Sequence, residues 1–348
     1  MNNPFSMNFG QLPRQSIDRP IQREEILSAF QADYSGQMAY VITGVRGSGK
    51  TVLMTQIANR LREDDDWIVV ELNAETDLLK DLVSRLYGNP VCYPWFQTAK
   101  LNLSFLGIGA EFSREPPVLD YGTAAAKMLE SIRKHEKRLL IAVDEVTNTK
   151  QMRIFTSEYQ IWLRQNLPVY LLMTGLYENV YQLQNEKSMT FLYRMPKIQL
   201  KPLNIGTIQS RYRSLFHLDD STSLEMAVLT KGYPYAFQVL GYYTWENDKD
   251  YHRAMEQYQQ HLDEYVYEKI WSELSRKDKE ILVAVAKTDG SVKQVKNSLE
   301  MADHQFSPYR ERLIRKGVLE ASGYGEVALS LPLFKEYVLA HAERSHRI

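Results

Sequence analysis

Up to about position 203, apolar residues fall alternately into short continuous runs and into stripes with helical spacing. The continuous runs predict buried β-strands at 39–43, 67–72, 139–143, 169–173 and 197–200. The stripes predict helices near 50–62, 77–87, 120–134, 151–165 and 176–184. Strands that alternate with helices are joined by right-handed crossovers into a parallel sheet covered on both faces. We therefore predict an α/β fold for this part of the chain.

One stretch within it departs from this alternation. Residues 99–113 alternate apolar and polar positions across a glycine turn, which predicts an inserted β-hairpin. We favour an edge decoration packed on the core over a contact device, because such alternation marks a half-buried strand.

After Pro202 the strand-like runs stop, and residues 204–270 predict three or four helices. Aromatic residues are concentrated there in GYPYAFQVLGYYTW. Their helical spacing favours the core of a small bundle, and a base-stacking surface is the alternative.

The last segment predicts a winged helix-turn-helix. Helical patterns at 274–287, 291–299 and 305–316 lead into a glycine-centred hairpin. The third helix carries four basic residues, Arg310, Arg312, Arg315 and Lys316. Residues 271–348 contain 13 Lys and Arg against 11 Asp and Glu, a surplus of two. A DNA-contacting helix and a protein-contact module with a solvated basic face both fit this weak surplus.

The composition is that of a soluble globular protein, with 44% hydrophobic and 24% charged residues. A formal net charge of -1 provides no global attraction to nucleic acid or anionic lipid. The sequence contains no signal-peptide pattern and no apolar segment long enough to span a membrane. The lone Cys92 excludes an internal disulfide and a cysteine-based zinc site, which fits a reducing cytoplasm. Scattered histidines and the lack of a G-x-S-x-G pattern disfavour metal hydrolysis and serine catalysis.

The most specific motif is AYVITGVRGSGKT at 39–51, which matches G-x-x-x-x-G-K-[ST] between a strand and a helix. Glycines let successive backbone N–H groups surround an anion, and the helix adds its positive N-terminal end. Lys50 would reach the β- and γ-phosphates of ATP, and Thr51 would bind Mg²⁺. The alternative is a glycine-rich turn that a lysine merely follows. The predicted cofactor-binding residues are Gly44, Val45, Arg46, Gly47, Ser48, Gly49, Lys50, Thr51 and Val52.

The run LLIAVDE at 139–145 places two carboxylates at the end of a buried strand. We expect Asp144 to hold Mg²⁺ together with Thr51, and Glu145 to orient or deprotonate the attacking water. A solvated strand end is the alternative. Glu145 and Lys50 are thus the first two predicted catalytic residues.

With these motifs placed, the chain resembles the AAA+ class of P-loop ATPases. More narrowly, it is similar to the bacterial and archaeal ATPases related to origin-recognition initiators and the STAND signalling ATPases. The resemblance covers nearly the whole chain. It rests on GVRGSGKT, LLIAVDE, LLMTG, the arginine in FLYRMPKIQL, the KGYP turn and the closing ERLIRKGVLEASGYGEVALSLPLF.

The resemblance implies roles for four further residues. Thr174 matches the polar sensor residue of the family, and Arg194 matches the arginine that reaches a neighbouring subunit's nucleotide in a homo-oligomer. A surface arginine is the alternative for Arg194. Gly232 and Pro234 match a turn of the helical lid near the nucleotide. No lid arginine sensor is evident in the sequence.

We accordingly expect a P-loop NTPase αβα sandwich with a helical lid and a C-terminal winged helix. The expected divisions are 1–35 (lead-in to the nucleotide site), 36–203 (ATPase core), 204–270 (lid) and 271–348 (winged helix). The expected function is a cytoplasmic ATPase without membrane partners. Its ATP·Mg²⁺ state would control a winged helix that binds duplex DNA or a protein through 291–330. The alternatives are a STAND-like switch with negligible basal hydrolysis, and a DNA-binding initiator or mobile-element helper that uses ATP for assembly.

Overall fold

The computed structural model describes residues 2–7, 12–32, 36–98, 120–288 and 290–345, without the side chains of 188, 190, 344 and 345. The hairpin predicted at 99–113 lies outside these residues. The described residues form two compact units. The first, which we name the sheet unit, consists of Arg19–Thr43 and Lys50–Gln199. The second, which we name the helical unit, consists of Met1–Asp18, Gly44–Gly49 and Leu200–Ile348.

Within its described residues, the sheet unit contains a five-stranded parallel sheet. The strands are β1 (Ala39–Thr43), β2 (Trp67–Asn73), β3 (Arg138–Asp144), β4 (Val169–Gly175) and β5 (Lys197–Gln199). Their order is β2-β3-β4-β1-β5. Every residue of β4 is buried, and β3 is buried except at its two ends. Continuous apolar runs therefore became central parallel strands, which confirms the predicted α/β fold.

Helices cover this sheet. They are α1 (Pro20–Gln31), α2 (Lys50–Arg62), α3 (Leu78–Tyr87), α4 (Tyr93–Thr98), α5 (Tyr121–Lys134), α6 (Lys150–Arg164), α7 (Tyr177–Gln184) and a 3-10 helix, Lys187–Arg194. Side-chain caps explain where several begin. Asp120 accepts a bond from the N–H of Thr123, and Thr149 accepts one from the N–H of Met152. The sequence patterns did not predict α1 or the short α4.

In the helical unit, the segment after β5 forms a helical bundle. It consists of α8 (Ile205–Phe216), α9 (Asp220–Leu229), α10 (Pro234–Glu246), α11 (Tyr251–Leu262), a π-helical turn (Asp263–Tyr267) and α12 (Glu268–Ser272). Aromatic rings form its core, where the Tyr212 and Phe237 centroids are 5.0 Å apart and Phe5 stacks on Phe216. The buried Tyr212 hydroxyl donates to the Phe237 carbonyl at 2.8 Å. Within the predicted aromatic segment, Tyr233 and Phe237 are buried in this core, and the other aromatic residues, Tyr235, Tyr242, Tyr243 and Trp245, pack against it, as the core interpretation expects.

The chain then forms what we name the C-terminal module. Its elements are α13 (Arg276–Lys287), α14 (Val292–Ser298), α15 (Asp303–Lys316), β6 (Leu319–Gly323), β7 (Glu326–Leu329) and α16 (Phe334–Ser345). β6 and β7 pair antiparallel. Three helices followed by a hairpin match the predicted order, whereas the sequence analysis missed α16.

A buried carboxylate joins two helices of this module. Asp278, whose side chain is 1% exposed, closes a capping box with Ser275 at the start of α13. It accepts bonds from the Arg312 guanidinium and, at 3.4 Å, from the Lys316 ammonium. Burial alone would raise the pKa of Asp278, but hydrogen bonds from Arg312 and Ser275 and the charge of Lys316 lower it. Two of the four basic residues of α15 therefore stabilise the module internally.

Replacing this carboxylate should destabilise the protein. We expect Asp278→Ala to lower the free energy of unfolding by about 2 kcal/mol, because it strands two cations and removes a cap. Since the pKa of Asp278 is lower in the folded state, its stabilisation is present above the unfolded-state pKa of about 3.9 and is lost as the pH falls through the folded value. Urea unfolding at neutral and acid pH measures both effects.

Glu280→Ala is the matched control, because Glu280 also lies on α13 and pairs with two basic side chains, Arg276 and Lys277, but at the surface. Its loss should cost less than about 1 kcal/mol. If both variants lost the same free energy of unfolding, the buried cluster of Asp278 would contribute no more to stability than a surface ion pair.

Candidate nucleotide-binding site

The loop Gly44–Gly49 joins β1 to α2 and carries two glycines with left-handed backbone conformations. Gly47 has φ +76° and Gly49 has φ +88°. A Cβ at Gly49 would meet no atom within 4 Å, so its backbone conformation alone calls for glycine. A Cβ at Gly47 would collide with the Tyr233 hydroxyl and lie 2.9 Å from Cζ of that ring. The loop thus has the open, glycine-dependent turn that a phosphate cradle requires.

The first residues of α2 follow directly and bring two predicted magnesium ligands together. Lys50 begins the helix and is only 8% exposed, whereas Thr51 is exposed and Val52 is half-buried. The Thr51 hydroxyl donates to Oδ2 of Asp144, at the end of β3, over 2.8 Å. A hydroxyl beside a carboxylate supplies the hard oxygen ligands that Mg²⁺ prefers. The residues present therefore fit the predicted Mg²⁺ and nucleotide phosphates.

Glu145, directly after β3, has an unusual backbone conformation for a non-glycine residue. Its φ is +53°, and the residue is exposed. Its N–H lies 3.0 Å from Oδ1 of Asp144 and 3.3 Å from Oγ1 of Thr174, and it donates to both. Such a conformation costs on the order of 1 kcal/mol and persists where surrounding bonds enforce it. The turn thus presents a carboxylate beside the predicted metal ligands.

Thr174 enforces this turn from the neighbouring strand. It is fully buried in β4, its hydroxyl donates to Oδ1 of Asp144, and its carbonyl accepts the N–H of Val146 at 2.8 Å. The parallel pairing of β3 with β4 places these strand ends side by side. The sheet unit therefore assembles Lys50, Thr51, Asp144, Glu145 and Thr174 at the carboxyl ends of its strands.

The structure does not bring Arg194 into this cluster. Arg194 is exposed at the end of the 3-10 helix and makes no hydrogen bond or ion pair with another described side chain. Its proposed reach to a neighbouring subunit stays a prediction.

Gly232 and Pro234 form a tight turn in the helical unit. Gly232 has φ +73°, and a Cβ there would collide with the carbonyl of Leu203, whose N–H donates to the Gly232 carbonyl at 2.7 Å. Pro234 starts α10, where its fixed φ suits the first helical turn. Local backbone structure thus explains why position 232 is glycine and position 234 is proline. The contact of these residues with nucleotide stays a prediction.

Sequence reasoning missed Tyr233, which lies between them. Its hydroxyl donates to the Arg46 carbonyl of the loop at 2.5 Å. Helical spacing predicts this tyrosine in the aromatic core, and it is only 3% exposed. Its position inside the turn that the resemblance predicts to lie near the nucleotide was the signal that could have identified it.

The loop also touches residues close to and within the C-terminal module. The Arg46 guanidinium pairs with Glu273 at 2.9 Å. Gly317, which ends α15 with φ +77°, lies so close to the loop that a Cβ there would be 3.1 Å from Cβ of Val45. The six loop residues are therefore part of the helical unit by their packing.

A parallel sheet whose first strand leads through a glycine loop into a helix is the P-loop fold, and solved structures share this fold. The ORC2 protein of Aeropyrum pernix in its ADPNP–ADP complexes has a TM-score of 0.60 at 12% identity, covering 97% of this chain and 98% of that one. Its ADP form has a TM-score of 0.54 at 12% identity, covering 97% of each chain. The structural neighbours are AAA+ initiators of the origin-recognition type, which confirms the predicted resemblance at the level of the fold.

One sequence family also matches. Residues 264–338, from the π-helical turn into α16, match a domain of unknown function, DUF8462. No curated protein sequence matches the chain. Among the described residues, the structure contains no helix with the length and apolar character needed to cross a bilayer.

Relief of backbone strain at Glu145 is testable. We expect Glu145→Gly to raise the free energy of unfolding by about 0.5 kcal/mol, because glycine adopts φ +53° without a Cβ clash but is more flexible when unfolded. Glu136, exposed with φ +57° after α5, is the matched site. Glu136→Gly should stabilise by a similar amount in urea unfolding. A loss of stability at Glu145 alone would mean that its side chain contributes more than the strain costs.

Proposed function

We propose that this protein binds ATP·Mg²⁺ and hydrolyses ATP at the cluster around Asp144. The observation that carries the proposal is the convergence of the Thr51 hydroxyl, the Thr174 hydroxyl and the Glu145 N–H on this one carboxylate. The amides of the phosphate loop and Lys50 would hold the β- and γ-phosphates. Catalysis would rest on positioning and charge stabilisation, without a covalent intermediate.

Each residue of the cluster has a separate task in this proposal. Thr51 and Asp144 would hold Mg²⁺, and bound Mg²⁺ would supply neutralisation of the charge on the phosphate oxygens. Glu145 would orient the attacking water or accept its proton. Thr174 would keep Asp144 and the Glu145 turn in place, and sense the γ-phosphate as its counterpart does in the family.

We further propose that nucleotide state controls the C-terminal module, which we assign as a winged helix. Support comes from the loop itself, because Arg46 pairs with Glu273 and Val45 packs against Gly317. A phosphate that reshapes the loop would therefore act directly on these contacts. We keep the divisions 1–35, 36–203, 204–270 and 271–348 as part of this proposal.

For the partner bound through 291–330, we favour a protein over duplex DNA. Arg312 and Lys316 of α15 already neutralise the buried Asp278. At the hairpin tip Tyr324 is fully exposed, in a hairpin that carries the acidic Glu320 and Glu326. An exposed aromatic side chain is typical of protein-binding hot spots, whereas acidic neighbours repel phosphates.

Two substitutions test the ATPase. Lys50→Ala should weaken Mg·ATP binding roughly 100-fold, because it removes a charge-assisted contact to phosphate. Glu145→Gln should keep binding but slow turnover by about 100-fold or more, because it removes the base. Calorimetric titration and steady-state phosphate release measure these effects, with the exposed Lys80→Ala as control. Wild-type turnover in Glu145→Gln would remove that residue from the mechanism.

The same assay tests Arg194 and the homo-oligomer. Turnover per subunit that rises with protein concentration, but stays low in Arg194→Ala, would support sites shared between subunits. If turnover per subunit is the same in the wild type and in Arg194→Ala and does not change with protein concentration, Arg194 is a surface residue without a role in catalysis. A flat and near-zero line for the wild type with tightly retained nucleotide would favour the STAND-like switch.

The choice of partner is tested with a fluorescent duplex. We expect binding no tighter than the roughly 10⁻⁶ M of non-specific association at physiological salt, unchanged by Arg315→Ala. Tight binding that falls steeply with salt and is weakened by Arg315→Ala would instead make the winged helix a DNA-binding module and favour the initiator alternative. Arg312→Ala is unsuitable here, because it also disrupts the Asp278 cluster.

A further inference from the structure

The Tyr233 hydroxyl contacts the backbone of the phosphate loop. It donates to the Arg46 carbonyl at 2.5 Å, across 187 positions of sequence. The ring is buried and fixed at the start of α10, after the tight turn at Gly232. The hydroxyl is therefore held in place against one peptide group of the loop.

The bonded peptide group joins Arg46 to Gly47. In a trans peptide the C=O and N–H point in opposite directions, and the described chain contains no cis bond. A hydroxyl that holds the Arg46 carbonyl therefore turns the Gly47 N–H away from the tyrosine. Gly47 has a left-handed φ, and a Cβ there would collide with the Tyr233 hydroxyl, so glycine at this position is what permits the contact.

The Tyr233 hydroxyl carries the proton of this hydrogen bond at neutral pH. Burial raises the pKa of the Tyr233 phenol, the neighbouring Tyr235 adds to this, and Arg46 opposes it. The phenol is therefore protonated at neutral pH. A protonated hydroxyl within 2.5 Å of a carbonyl oxygen donates to it.

We propose that Tyr233 is a positioning residue of the phosphate loop, whose hydroxyl orients the Arg46–Gly47 peptide so that the Gly47 amide faces the nucleotide phosphates. This inference rests on the proposed nucleotide site. In this proposal the Gly232–Pro234 turn has a role beyond packing, because it positions Tyr233 next to the loop. It also explains why position 47 is glycine, since any side chain would displace the hydroxyl.

The test is the affinity for Mg·ADP, measured by calorimetric titration of the full chain. Tyr233→Phe removes only the hydroxyl, and we expect the Kd to rise about tenfold, as for one lost buried hydrogen bond. Tyr212→Phe is the matched control, because its buried hydroxyl also donates to a backbone carbonyl of the helical unit, at 2.8 Å from Phe237. That variant should lose stability but keep the wild-type Kd.

A rescue variant separates the hydrogen bond from packing. Tyr233→4-aminophenylalanine retains a donor at the same ring position and should recover the wild-type Kd. Hydrogen exchange of the loop in nucleotide-free protein gives a second readout, and exchange should be faster in Tyr233→Phe but not in Tyr212→Phe. This readout does not require Tyr233→Phe to bind nucleotide, and comparison with exchange in the rest of the protein separates a local effect from a global loss of stability.

The outcomes are distinguishable. A wild type that does not bind Mg·ADP overturns the proposed function, and this inference with it. A wild type that binds, together with Tyr233→Phe at the same Kd and the same loop exchange, overturns only the role of Tyr233. Equal losses of affinity in Tyr233→Phe and Tyr212→Phe would reduce that role to general stability.

Discussion

The candidate site depends on one carboxylate. Asp144 accepts hydrogen bonds from the first turn of α2, from the end of β4 and from the backbone of its own neighbour, Glu145. These donors come from three parts of the chain, so the bonds form only when the sheet has its parallel register. The same carboxylate holds Glu145 in a left-handed conformation that its side chain would otherwise oppose. The carboxylate oxygens of Asp144 therefore hold the strand ends together and also belong to the proposed catalytic site.

Much of this could be predicted from local sequence. Central strands were predictable because a strand covered on both faces is apolar at every position, and β4 is buried throughout. Lys50 and Thr51 were predictable because the phosphate-loop pattern fixes their spacing. Asp144 was predictable because it ends a continuous apolar run typical of a buried parallel strand. The left-handed φ of Glu145 was not, since it results from bonds to Thr174 on another strand.

Contacts between distant positions were the main omission. The basic residues of α15 suggested a solvated or DNA-binding face, yet Arg312 and Lys316 contact Asp278, more than thirty positions earlier. The bond from Tyr233 to the Arg46 carbonyl spans an even longer separation. Periodicity identifies which face of a helix is polar, but it does not identify the partner of a polar group. Where the partner is buried, as Asp278 is, the basic side chain stabilises the fold and is not available to bind another molecule at the surface.

The loop contacts also limit how strongly nucleotide can act on the C-terminal module. The pair between Arg46 and Glu273 is about one-third exposed on each side, so it contributes at most about 1 kcal/mol. A complete switch between two states requires about 5.5 kcal/mol of differential binding. Packing of Val45 on Gly317 and the Tyr233 bond can add to the pair, but three such contacts favour a graded bias. In the proposed function, binding of the partner therefore has to supply the remaining free energy, and turnover without it should be slow.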